Sequence, residues 1–189
     1  MDKLINSDKE LFIYLNGLGN ESWDPFWVAA TNMLSWIPLF LFFIYLMYRF
    51  FGLKKTIALV VIVALLITFS DQFANLIKYS VGRLRPNRDP EINTFIRILK
   101  NNKSFSFFSA HAGTSMAVTT FVYFTLRKKI KYAGLFFIWP LFFAYSRIYI
   151  GVHFPLDILA GGIFGVITGI LFYKVSLKIL DQPFLNSQG

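Results

Sequence analysis

Long apolar runs separated by short polar ones dominate this chain. Five windows, 26–48, 57–77, 105–126, 132–150 and 158–180, reach or approach the length of about 20 mostly apolar residues that a helix needs to cross a bilayer core. The third is the weakest, because Ser106, Ser109, His111 and Thr114 fall in its first turns. Residues 3–17 read differently, as a short amphipathic helix lying on the bilayer surface. The pattern therefore predicts an all-α, integral-membrane helical bundle with about five transmembrane helices and an N-terminal interfacial helix. One domain is expected over 1–189, divided into an interfacial segment 1–25 and a membrane core 26–180. Most connections are short, which makes neighbouring helices antiparallel. The exception is 79–104, where Gly82, Pro86 and Pro90 break the helix. With its continuation to 108 it is the expected active-site loop. In the last window Gly161, Gly165 and Gly169 recur every four residues, a spacing that lets another helix approach closely.

Composition agrees with lipid as the solvent. Hydrophobic residues make up 56% of the 189, 23 of them Phe, and only 15% are charged, which is more apolar surface than a soluble domain of this size could hide. No cleavable signal peptide is visible, since the first apolar run follows a polar, acidic start. Without cysteine there is no disulfide and no thiolate metal site. The net charge of +9 is spread over both ends of the expected spans, which argues against a nucleic-acid partner. Alternating spans put Arg49, Lys54, Lys55, Arg127, Lys128, Lys129, Lys131, Lys174 and Lys178 on one side, and the positive-inside rule makes that side cytoplasmic. Loop 79–104, on the other side, is itself basic through Arg83, Arg85, Arg88, Arg97, Lys100 and Lys103. Some of those charges are expected to serve chemistry rather than orientation.

The unusual polar residues converge on that second side. Asp71, Asn75 and Lys78 share one helical face, with Lys78 in the last turn. Arg85, Ser109, His111, Arg147, His153 and Asp157 all fall at the same end, and the two histidines are the chain's full complement. Pro155 suits a first helical turn, so His153 lies at a helix start and Asp157 one turn further in. A carboxylate there can hold one imidazole nitrogen and leave the other free as acceptor or nucleophile. Helix starts favour anions, and Lys78, Arg85 and Arg147 add fixed positive charge. Singly, each residue has a plain structural explanation: a snorkelling lysine, an anchoring arginine, a packing serine at Ser146, a carboxylate at Asp71 bonded to Asn75 or Lys78. Jointly they describe a phosphate pocket with chemistry in it.

Three stretches carry a resemblance. They are "KYSVGRLRP" at 78–86, "FSAH" at 108–111 and "SRIYIGVHFPLD" at 146–157. In order and spacing they resemble the signature of the type 2 phosphatidic acid phosphatases, lipid phosphatases related to vanadium haloperoxidases. Phe108 stands where proline is usual and Ala110 where glycine is usual. The resemblance covers roughly 55–180 and gives the amino-terminal segment little part. It implies His153 as nucleophile, Asp157 as its orienting acid and His111 as the general acid. Lys78, Arg85, Ser109 and Arg147 would bind phosphate, and water would release it from a phosphohistidine. It implies no metal and no other cofactor, since the three cations do what magnesium does elsewhere; Arg83 and Arg88 receive no role. The partner is a lipid phosphate in the bilayer, with no obligate protein partner evident. By family analogy the substrate order is undecaprenyl diphosphate, then phosphatidylglycerophosphate or phosphatidate, then lipid A 1-phosphate. The same analogy suggests a bacterial inner membrane with the site facing outward. The rival readings are a haloperoxidase holding vanadate and a non-enzymatic anion or lipid transporter.

Overall fold

The computed structural model describes residues 2–182 and 185. Among them the regular structure is entirely helical. The principal helices are α1 (Asp2–Gly17), α2 (Asp24–Ala30), α3 (Ile37–Val81), α4 (Ala110–Leu126), α5 (Ile138–Tyr149) and α6 (Pro155–Leu180). Gly52 interrupts α3 with φ 75° and ψ 175°, a conformation that glycine adopts readily. The chain turns back there. Phe40, Phe43 and Met47 of the first arm line one cavity with Val60, Val63 and Ile67 of the second. Met33–Arg88 and Pro155–Leu180 are long and apolar enough to cross a membrane, and Ala133–Tyr149 is a shorter apolar stretch. Leu41, Leu65, Leu141 and Ile167 remain exposed, as expected where the surrounding solvent is hydrocarbon.

Two windows are corrected. Residues 26–48 do not form one span: α2 stops at Ala30, a 3₁₀ turn covers Met33–Trp36, and α3 starts at Ile37. Asn32 causes the break, since its side chain accepts the Leu34 N–H at 3.1 Å and so competes with a continuous helix. The third window loses its first residues, because Ser109 is the N-cap of α4 and 105–109 is irregular. The last helix starts at Pro155, as its sequence suggests.

Helix α4 is the central element, packed against α3, α5 and α6. Its tightest seam is with α6. A Cβ at Gly161 would come within 2.6 Å of the Ser109 carbonyl, and one at Gly169 within 2.5 Å of the Ala117 carbonyl. Between them Gly165 meets the Gly113 carbonyl even more closely. The four-residue glycine step thus matches a four-residue step of Ser109, Gly113 and Ala117 on α4. In lipid such backbone proximity supplies association energy that apolar burial does not. Helix α1 does more than rest on a surface. Phe12 is fully buried and packs edge-to-face on Phe154, with ring centroids 5.3 Å apart.

The second arm of α3 ends where α4 and α6 begin and α5 ends, so all the expected site residues share one end of the bundle. At the other end Phe51, Leu126, Ile130, Ile179 and Leu180 belong to one apolar cluster. The basic groups Arg49, Arg127–Lys131 and Lys178 flank that cluster in sequence.

Candidate active site

Gly82, with φ 65°, ends α3 and donates its N–H to the Lys78 carbonyl at 2.9 Å. The chain then swings across the bundle end. Arg85 is buried, its Nε donating to the Ser104 carbonyl at 2.9 Å and its Nη2 to the Ser104 hydroxyl at 3.0 Å. Its Nη1 donates to the Val152 carbonyl at 2.8 Å and lies 3.0 Å from Nε2 of His153. An arginine has only donors, so Nε2 of His153 is the acceptor and the ring proton sits on Nδ1. That Nδ1 faces Oδ2 of Asp157 at 3.3 Å. These two contacts fix the Nδ1–H tautomer.

Asp157 is fully buried at the third position of α6. Its Oδ2 also accepts the Phe154 N–H at 2.9 Å and the Ser106 hydroxyl, while Oδ1 accepts Nη1 of Arg83 at 2.9 Å. Burial, followed by the charges of Arg85, Arg147 and Lys78, holds the pKa of His153 well below the ordinary histidine value. The imidazole stays neutral near pH 7, with its Nε2 lone pair directed at Arg85 Nη1. Burial also lowers Arg85, to about 10, so that guanidinium remains charged.

The other residues converge from their own helices. Arg147 is buried in the last turn of α5; its Nη1 donates to Thr31 Oγ1 at 2.6 Å and its Nε has no partner among the described residues. Lys78 is buried and makes no hydrogen bond or ion pair with the described residues. Ser109 caps α4, accepting the Ala112 N–H at 3.3 Å, and its own N–H donates to the Asp157 carbonyl at 3.1 Å. His111 packs on Phe143 at 5.6 Å between ring centroids and lies within electrostatic reach of Arg147, His153, Lys78 and Arg85. It opens onto a cavity of about 430 Å³ that Thr31, Asn32, Leu99, Lys100 and Ile150 also line. All seven expected residues, Lys78, Arg85, Ser109, His111, Arg147, His153 and Asp157, thus meet at one place. Asp71 stands apart and accepts from Asn75 at 3.3 Å.

Sequence reasoning missed Asp8, Thr31, Ser104, Ser106 and the part of Arg83. Arg83 and Ser106 lie within or beside the quoted stretches, so their nearness was a usable signal. Asp8 and Thr31 come from the amino-terminal segment, and no spacing rule links them to residues more than 70 positions away.

Residues 54–181 match the PAP2 superfamily, and the chain belongs to that family. A lipid A 4'-phosphatase of Bacteroides thetaiotaomicron is 34% identical over 181 residues, 93% of this chain and 80% of the relative. One of Porphyromonas gingivalis, of the same name, is 26% identical over 94% of this chain and 76% of its own. Among solved structures, a transmembrane PAP2-type phosphatidylglycerolphosphate phosphatase of Bacillus subtilis superposes with a TM-score of 0.73 at 19% identity, over 97% of this chain and 90% of that one. LpxE of Aquifex aeolicus gives 0.59 at 25% identity, over 87% and 93%. The protein is an integral-membrane phosphatase that hydrolyses lipid phosphate esters. The haloperoxidase and transporter readings lose their ground accordingly.

Proposed function

We propose that this phosphatase removes a phosphate monoester from lipid A through a phosphohistidine on His153. One observation carries the chemistry. Lys78, Arg85 and Arg147 are buried together, and none has a carboxylate within ion-pair distance among the described residues. Buried cations left unpaired are costly, so the arrangement fits a site completed by an anion. A phosphate oxygen arriving there takes over the Arg85 Nη1 donor and uncovers Nε2. The nitrogen lone pair attacks phosphorus and the ester P–O bond breaks. His111 gives its proton to the departing oxygen, while Lys78, Arg85, Arg147 and the start of α4 hold the three equatorial oxygens. Water next attacks phosphorus and passes a proton to His111. The P–N bond breaks, phosphate leaves, and His153 returns to its neutral form.

Substrate class rests on the relatives and on two cavities. Undecaprenyl diphosphate headed the sequence ranking, but the curated relatives act on lipid A and support it ahead of the carrier lipid. The cavity beyond His111 would receive the leaving group. Thr31, Asn32 and Lys100 on its wall suit a sugar bearing a second anionic group. A separate apolar groove of about 390 Å³ runs down α4, α5 and α6 past Ala112, Met116, Leu141, Ile158 and Ile163. It starts one residue beyond His111 and Asp157 and offers a path for an acyl chain. The basic groups at the opposite end support a cytoplasmic placement there, with the site facing outward across the inner membrane.

Purified protein in detergent and excess chelator, offered bis-phosphorylated lipid A, undecaprenyl diphosphate, phosphatidylglycerophosphate and phosphatidate, tests this reading. Mass spectrometry should show lipid A losing its 4'-phosphate fastest. Faster turnover of undecaprenyl diphosphate would overturn the assignment.

A further inference from the structure

We infer that Asp8 and Arg83 are positioning residues for the nucleophile, which makes the amino-terminal helix part of the catalytic apparatus. Arg83 bridges two carboxylates: Nη1 donates to Asp157 Oδ1 at 2.9 Å and Nη2 to Asp8 Oδ2 at 2.6 Å. The other oxygen of Asp8 accepts the Leu156 N–H at 2.8 Å, inside the first turn of α6. The guanidinium carbon lies 4.1 Å from the centroid of the Phe154 ring, which also packs edge-to-face with Phe12 of α1. Helix α1 is pinned further along by Asn16, which donates to the Ile148 and Tyr149 carbonyls at 3.1 and 3.0 Å. Asp8 is buried, which is rare for a carboxylate on a surface helix.

The physical need is specific. Oδ2 of Asp157 is shared by Phe154, Ser106 and His153, and the His153 contact is the longest of those to nitrogen. The plane of the carboxylate, and so the direction in which it faces the imidazole, depends on what holds Oδ1. That is Arg83, and Arg83 is itself aimed by Asp8. Charge gives a second reason. Two acids and one arginine sum to a single negative charge, which matches the positive charge on His153 once Nε2 has bonded to phosphorus. Without Asp8, the arginine would neutralise Asp157 and leave the imidazolium without a counter-charge.

This inference rests on His153 as nucleophile, and the test separates the two. Full-length protein in detergent is assayed as His153→Ala, Arg83→Ala, Arg83→Lys, Asp8→Asn and the Arg83→Ala/Asp8→Asn pair, with thermal melting of each. By analogy with partners that orient a reactive ligand, Arg83→Ala should lower kcat about 10–100-fold with KM within about twofold, since the phosphate-holding cations are untouched. Arg83→Lys should recover part of the loss. Asp8→Asn, nearly isosteric, should lower kcat with KM within about twofold when assayed well below its melting temperature, and the pair should be no worse than Arg83→Ala alone. Turnover surviving His153→Ala would defeat the mechanism itself. If His153→Ala is inactive while Asp8→Asn keeps wild-type kcat, or if the Arg83 effect falls on KM, the positioning role is overturned.

Discussion

The two sides of His153 are built on opposite principles. On the Nδ1 side every charge is answered: Asp157 by Arg83, Arg83 by Asp8, and Asp8 also by a backbone N–H of α6. On the Nε2 side Lys78, Arg85 and Arg147 crowd together with no acid at ion-pair distance among the described residues. The first arrangement is complete without ligand and fixes the ring. The second would be completed by the dianionic phosphate monoester proposed as substrate. On the proposed mechanism, the pairing of charges, more than residue type, distinguishes the groups that would hold the reactive side chain from those that would hold its substrate.

Substitutions on the two sides should therefore part company in stability as well as rate. Lys78→Met removes one of three repelling cations, keeps the volume and breaks no hydrogen bond. It should cost about 10²–10³-fold in kcat, the usual loss for one donor to a developing charge. Its melting temperature should hold steady or rise. Asp157→Asn should lower activity and melting temperature together, because Arg83 loses a partner in a buried place. Thermal melts alongside rates decide the matter, and equal destabilisation by both variants would erase the distinction.

A smaller effect is visible in titration. With only two histidines in the chain, His111→Asn leaves His153 as the single imidazole. Its pKa is lowered by burial and by three cations, so the neutral form persists as pH falls through the ordinary value of about 6.5. Ring carbon shifts recorded from pH 8 to 5.5 should stay those of the neutral Nδ1–H tautomer. A midpoint near 6.5 would show a solvated ring and an open site.

Much of this was readable beforehand, for reasons that vary from residue to residue. Periodic hydropathy gave the lipid-facing spans, and Pro155 marked the start of α6. Strict antiparallel alternation was enough to gather Lys78, His111, Arg147 and His153 at one end, because short connections leave little freedom. The step of Gly161, Gly165 and Gly169 announced a tight seam without naming α4 as its partner. Other features were hidden because a hydropathy window averages over them. Asn32 breaks the first window with one side-chain bond. Asp8 looks like an ordinary solvated acid on an amphipathic helix, and only its tertiary contacts reveal a buried carboxylate. Arg83 stands two residues from Arg85, yet backbone direction after Gly82 sends one to Asp157 and the other to Nε2 of His153.

The central claim is that His153, braced through Nδ1 and facing the unpaired cations through Nε2, carries the phosphoryl group. Rapid quench of the purified protein into alkaline detergent, with substrate labelled on the transferred phosphate, tests it most directly. The expected result is an acid-labile, alkali-stable phosphoprotein whose label maps to His153, disappears in His153→Ala and forms within the time of one turnover. Steady turnover in His153→Ala, or label on a serine or carboxylate instead, would contradict it.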